Sequence, residues 1–235
     1  MKQEVISYEL EGQSFQGFIA YPKQSSPAPL VLVVHDWSGC NDFAREKAIK
    51  LSELGYVGFA IDMYGEGQIG QTNEEKSALI APFMEDRSLL KNRIVATLAV
   101  GKQLPGVLST KTAAIGFCFG GLCVLDLARS AVDVTGVVSF HGLLNAPQSS
   151  SNEKITSRVL ALHGYDDPMA TKENLIEFCD EMTARQANWQ VCAYGHTQHA
   201  FMNPVANDKA LGLVYQPDIA VQAWQNMQQF LAHIL

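Results

Sequence analysis

Residues 116–121 read Gly-Phe-Cys-Phe-Gly-Gly, a small-x-nucleophile-x-small pattern with a cysteine at its centre. The apolar run into Phe117 reads as a strand, and "LCVLDLARS" after it reads as a helix. A nucleophile on so sharp a strand-to-helix turn holds strained backbone angles, and only small neighbours let the two backbones approach. The geometry would expose the Cys118 sulfur at a sheet edge with a helix N-terminus aimed at it, which favours the thiolate. Taken alone, the hexapeptide fits a buried cysteine in a glycine-rich turn equally well. The residues downstream separate the two readings. A nucleophile of this kind needs a carboxylate and then a histidine, in that chain order. "LALHGYDDP" places Asp166 and Asp167 just beyond a buried strand, and "VCAYGHTQHAF" places His196 and His199 just beyond the next. Asp167, the fourth residue of Gly-x-x-Asp, and His199 are the preferred pair. Asp166 and His196 read as loop-capping or solvated neighbours.

A tetrahedral oxyanion needs two backbone donors. One is expected from Phe119, which follows the nucleophile. The other is expected from the loop "HDWSGCND", with Trp37 as the donor. His35, His141 and His163 end strands without a required role and read as satisfied core imidazoles. A zinc reading of His196-x-x-His199 lacks the three or four ligands a metal centre needs. These groups call for no metal and no cofactor.

The elements that must position these residues alternate along the chain. "EVISYEL" and "SFQGFIAYP", joined by "EGQ", read as a hairpin. "PLVLVVH", "VGFAIDM", "TAAIGF", "VTGVVSFHG", "SRVLALHG" and "WQVCAYG" read as strands, several of them continuous apolar runs buried on both faces. Helices are expected over 42–55, where Ala44, Ala48, Leu51 and Leu54 share a face. Two more are expected before Pro105, one after Cys118, one over 172–187, and a last one from about Asp218 burying Ala220, Trp224, Met227 and Leu231. The pattern predicts a mostly parallel sheet of about eight strands with helices on both faces, and site residues at the strand C-terminal ends. No internal repeat and no long linker divides the chain, so residues 1–235 are read as one domain without a large cap. Only residues 65–81 and 143–156 are available as covers over a site.

The formal net charge of −7 argues against nucleic acid and anionic membrane as partners. No early segment carries a signal-peptide pattern, and no stretch approaches a membrane span. Five irregularly spaced cysteines fit a reducing cytoplasm better than a disulfide framework.

"VVHDWSGCND", "AIDMYGEG", "IGFCFGG", "LHGYDDP" and "YGHTQHAF", in this order and spacing, resemble the dienelactone hydrolase family of the α/β-hydrolase fold. The resemblance runs from about Ile6 to the final helix. It implies Cys118 as nucleophile, Asp167 as orienting acid, His199 as base, and Trp37 and Phe119 as oxyanion donors. It also implies a small ester or lactone as substrate, in a monomer or homodimer. The chain departs from the family pattern twice. Asp36, one methylene shorter, stands where founding members carry a thiol-holding glutamate, and is expected to fall short of the Cys118 sulfur. Asn203 stands where they carry a carboxylate-binding arginine. Tyr64, in the turn "DMYG", and Arg87, with Lys76, are the remaining candidates for substrate contact. Two other classes compete with a hydrolase: a peroxide-sensing thiol protein with Cys123 as resolving partner, and a non-catalytic binding module on the same fold.

Overall fold

The computed structural model describes residues 2–24, 26–148 and 153–235. Part of the expected cover 143–156 therefore lies outside the described residues. The chain forms two compact units, Met1–Ile115 and Gly116–Leu235. Its main strands take the order β1-β2-β4-β3-β5-β6-β7-β8 in one sheet. They are β1 (Gln3–Leu10), β2 (Gln13–Ala20), β3 (Ala28–Val34), β4 (Val57–Ile61), β5 (Val107–Phe117), β6 (Gly136–Phe140), β7 (Arg158–Gly164) and β8 (Asn188–Tyr194). The helices are α1 (Asp42–Glu53), α2 (Asn73–Glu85), α3 (Arg87–Lys102), α4 (Phe119–Arg129), α5 (Lys172–Ala184) and α6 (Pro217–Ile234).

In the first unit, β1 and β2 form the expected hairpin, in register from Gln3↔Ala20 to Leu10↔Gln13. β2 pairs antiparallel with β4, and β4 pairs parallel with β3. Leu30 to Val34 of β3 and all of β4 are buried, as continuous aliphatic runs require of strands covered on both faces. α1 starts where the Asn41 side chain accepts from the amides of Phe43 and Ala44. α2 starts with a reciprocal Thr72–Glu75 capping box, and Asp86 both ends α2 and caps α3 through the amides of Ser88 and Leu89. Leu90, Ile94 and Leu98 of α3 are buried on one face, as their spacing predicts. β5 begins earlier than the apolar run "TAAIGF" indicates, because Val107–Lys111 is largely half-buried or exposed.

In the second unit, β6, β7 and β8 pair in parallel, in register from Gly136↔Arg158 and Arg158↔Asn188. α4 is buried along its whole length. Phe117 stacks on Phe140 at 4.7 Å, and Phe140 on Trp224 of α6 at 6.3 Å. Trp224 itself is half-buried rather than buried. A short ribbon, β9 (Asn207–Asp208) with β10 (Leu213–Val214), has no counterpart in the sequence reading. At two residues a strand, it is too short to carry an alternation pattern.

Candidate active site

Cys118 occupies the single residue between β5 and α4, with φ 54° and ψ −114°. A side chain holds such angles at a cost of about 1–3 kcal/mol and only where its surroundings enforce them. Its neighbours must be glycine. A Cβ on Gly116 would stand 2.0 Å from the Gly120 carbonyl oxygen, and one on Gly121 would stand 2.6 Å from the Cα of Gly142. The turn is fixed from both sides. The Cys118 amide donates to the Phe140 carbonyl at 3.0 Å, and its carbonyl accepts from Leu122 at 3.2 Å. The thiol is half-buried and in no disulfide, and no side chain caps the α4 N-terminus beside it.

Asp167 and His199 meet as their loops require. The β7 and β8 ends are zipped together by Tyr165 N–H on Tyr194 at 2.9 Å and Asp166 N–H on Thr197 at 2.9 Å. Gly164 permits this approach, since a Cβ there would stand 2.6 Å from the carbonyl oxygens of Thr197 and Gln198. Asp167 Oδ1 accepts from the amides of Met169 and Ala170 at 2.8 and 3.2 Å, and Oδ2 takes His199 Nδ1–H at 2.7 Å. Both side chains are fully buried. Holding the proton on Nδ1 leaves Nε2 clear of Asp167. Burial works against an imidazolium at His199, but the charge of a Cys118 thiolate and the hydrogen bond and charge of Asp167 outweigh it, pushing its pKa up to about 10. Cys118 contributes both by its charge and as a hydrogen-bonding neighbour of the ring.

Asp166 and His196 stand apart from this pair. They face each other at 3.9 Å on the surface, the His196 side chain fully exposed. The positioning of His199 rests on residues the sequence reading missed. Val214 of β10 donates to the His199 carbonyl at 3.0 Å. The Gln216 side chain accepts from Thr197 at 2.8 Å and donates to the His196 carbonyl at 2.9 Å. Their signal was absent, since a lone glutamine ahead of a helix carries no motif.

His141 and His163 correct an expectation. Both are buried, but neither ring nitrogen of either makes a hydrogen bond to a described residue, so the described residues do not satisfy these imidazoles. His141, at φ 38°, packs edge-on against His199 at 5.1 Å and against Phe201 at 5.0 Å. Burial first, then the neighbouring His199, holds its pKa well below 6.5. Burial likewise lowers His163, with Asp167 opposing and His199 adding.

Trp37, Asp36, Tyr64 and Arg87 belong to the first unit. The Trp37 amide donates to no described residue. Asp36 Oδ1 accepts from the Ser38 amide at 2.8 Å. Tyr64 is buried, and its hydroxyl donates to the Trp37 carbonyl at 2.9 Å. Arg87 is the half-buried first residue of α3. Lys76 Nζ lies 5.5 Å from the centre of the Trp37 ring. Among the described residues no group of three or more His, Cys, Asp or Glu side chains could hold a metal ion.

A mostly parallel sheet with a sharp strand-to-helix turn at a strand end is the arrangement of an α/β-hydrolase. Residues 15–235 match the dienelactone hydrolase family, and the chain belongs to it. It is 28% identical over 231 residues, 94% of its length and 90% of the relative's, to a Bradyrhizobium protein named as a probable 2-oxo-3-(5-oxofuran-2-ylidene)propanoate lactonase. Among solved structures, it superposes with a TM-score of 0.94 and 32% identity on a dienelactone hydrolase-like promiscuous phosphotriesterase from metagenomic libraries, covering 99% of this chain and 98% of that one. The dienelactone hydrolase of Anabaena variabilis shares the fold at a TM-score of 0.69 and 19% identity, over 100% of this chain and 98% of that one. No helix among the described residues is long and apolar enough to cross a membrane.

Proposed function

We propose that this hydrolase cleaves small carboxylic esters or lactones through a Cys118–His199–Asp167 triad and a thioester intermediate. The observation that carries the reading is His199, buried and fixed by Asp167 on one nitrogen while the Cys118 thiol sits in the strained elbow beside it. The Cys118 thiol gives its proton to His199 Nε2, the sulfur attacks the carbonyl carbon, and the amides of Trp37 and Phe119 hold the oxyanion. His199 then passes its proton to the departing alkoxide. In the second half His199 takes a proton from water, the hydroxide displaces sulfur, and the acid leaves with the thiol restored. In a lactone the leaving alkoxide stays tethered to the acyl group, so the product is a single hydroxy acid.

The Bradyrhizobium relative, named as a lactonase, supports a lactone as one substrate form. We read the chain as one domain, because the family match spans both units. We place it in a reducing cytoplasm, as none of the five cysteines is in a disulfide. The sensing alternative is disfavoured by Cys123, which is fully buried within α4. A second reading comes from the relative named as a promiscuous phosphotriesterase, which makes an aryl phosphotriester a further probe substrate. The test is turnover of p-nitrophenyl acetate before and after iodoacetamide treatment. Loss of activity in step with alkylation of Cys118 supports the reading. Full activity of the alkylated protein excludes it.

A further inference from the structure

We propose that Tyr64 and His35 are positioning residues that hold the Trp37 amide as an open, oriented donor, by fixing the peptide planes on either side of the Trp37 Cα. The inference rests on the reading of Trp37 as an oxyanion donor.

A trans peptide points its N–H opposite to its C=O, so whatever holds the Asp36 carbonyl sets the direction of the Trp37 N–H. His35 Nδ1–H holds that carbonyl. Its tautomer is fixed at the other nitrogen, where Nε2 accepts from the Met63 amide at 3.2 Å. This requires a neutral ring, and burial lowers the His35 pKa, with the Asp36 carbonyl and the charges of Asp62 and Asp36 opposing. The next peptide plane is held at both ends. The Tyr64 hydroxyl donates to the Trp37 carbonyl at 2.9 Å, and the Ser38 N–H donates to Asp36 Oδ1 at 2.8 Å.

The clamp is itself anchored. Tyr64 packs on His35 with ring centres 4.8 Å apart. Its amide and that of Gly65 donate to Asp62 Oδ1 at 3.0 and 2.9 Å, while Gln16 and Gly67 amides fill Oδ2 at 3.1 and 2.9 Å. Arg93 holds the Met63 carbonyl at 2.8 Å. The Asp36 and Trp37 carbonyls and the Ser38 N–H are thus tied down, whereas the Trp37 N–H donates to no described residue. A half-buried loop whose flanking peptide groups are held and whose one donor is left open is preorganised to receive an acceptor.

The experiment compares two reactions of Cys118 in the intact protein. Acylation by p-nitrophenyl acetate develops an oxyanion, whereas alkylation by iodoacetamide does not. Tyr64→Phe keeps the ring and removes one O–H. It is expected to slow acylation by about 10- to 100-fold, somewhat less than losing a whole donor. The loss should fall on kcat with KM within about twofold, and alkylation should stay within about twofold of wild type. His35→Phe should behave in the same way. Wild-type acylation in Tyr64→Phe, or a parallel loss of acylation and alkylation, overturns the proposal. Trp37→Pro, which has no N–H, separates the underlying reading. If it alkylates and acylates like wild type, Trp37 is no donor. If it alkylates but fails to acylate while Tyr64→Phe is unimpaired, only the clamp is wrong.

Discussion

His199 Nδ1 lies 2.7 Å from Asp167 Oδ2 with both side chains fully buried, whereas the adjacent Asp166 faces an exposed His196 across 3.9 Å of surface. One residue of register separates a carboxylate that fixes an imidazole tautomer from one that water screens. Asp167→Asn is therefore expected to lower kcat by up to about 10⁴-fold through the wrong tautomer, and Asp166→Asn to change it by less than about threefold. Steady-state kinetics on both variants checks this. The reverse order of effects contradicts it.

Cys118→Ala removes a side chain held at φ 54° in an elbow that its glycines and backbone hydrogen bonds define without it. The variant should lose esterase activity while its unfolding free energy stays within about 1–2 kcal/mol of wild type. Cys118→Ser should retain some activity if His199 acts as the base, as the proposed mechanism has it. Urea titration and p-nitrophenyl acetate kinetics read the two properties separately.

Three buried histidines make stability pH-dependent. Burial holds the pKa values of His35, His141 and His163 below their ordinary 6.5. Once the pH falls below about 6.5, the unfolded chain takes up protons that the folded protein refuses. Stability then falls by about 1.4 kcal/mol per pH unit for each such group, until that group's folded pKa is reached. His199, raised to about 10, is protonated in both states below pH 6.5 and adds no slope there. Unfolding free energies at about pH 7.5, 6.5 and 5.5 should show a plateau and then a decline, and His141→Phe should remove about one group's share of that decline. A flat profile between pH 6.5 and 5.5 contradicts the assignment.

The strands, the elbow and the two strand-end loops were legible because each carries a pattern that physics makes local. Leu30–Val34 is aliphatic because both faces are covered, and Gly116 and Gly121 are glycine because a Cβ would meet backbone. The preference for Asp167 over Asp166 rested on a spacing that the turn at Gly164 enforces through the Asp167 amide. Three features had no local signal. β10 is two residues long, so its hold on the His199 carbonyl through Val214 is invisible in sequence. That the described residues leave the rings of His141 and His163 unsatisfied depends on where their loops place them. Tyr64 was assigned as a candidate donor to substrate, yet its hydroxyl is engaged by the Trp37 carbonyl, a partner 27 positions away.

Substrate size follows from what covers the site. The sequence leads us to expect only residues 65–81 and 143–156 as covers, too few for a separate cap domain. Acetate esters and small lactones should be turned over with kcat/KM at least about tenfold above that of long-chain esters. A chain-length series of p-nitrophenyl esters checks this. A preference for long acyl chains contradicts it.

The most direct measurement is a rapid acid quench of the protein with p-nitrophenyl acetate, followed by peptide mass mapping. A single acetyl group should appear on the peptide holding Cys118, build up before steady state, and disappear as substrate is exhausted. Asp167→Asn should slow its formation, and Cys118→Ala should show none. Turnover at the wild-type rate with no acetyl on Cys118, or with acetyl accumulating on another residue, contradicts a thioester mechanism at this elbow.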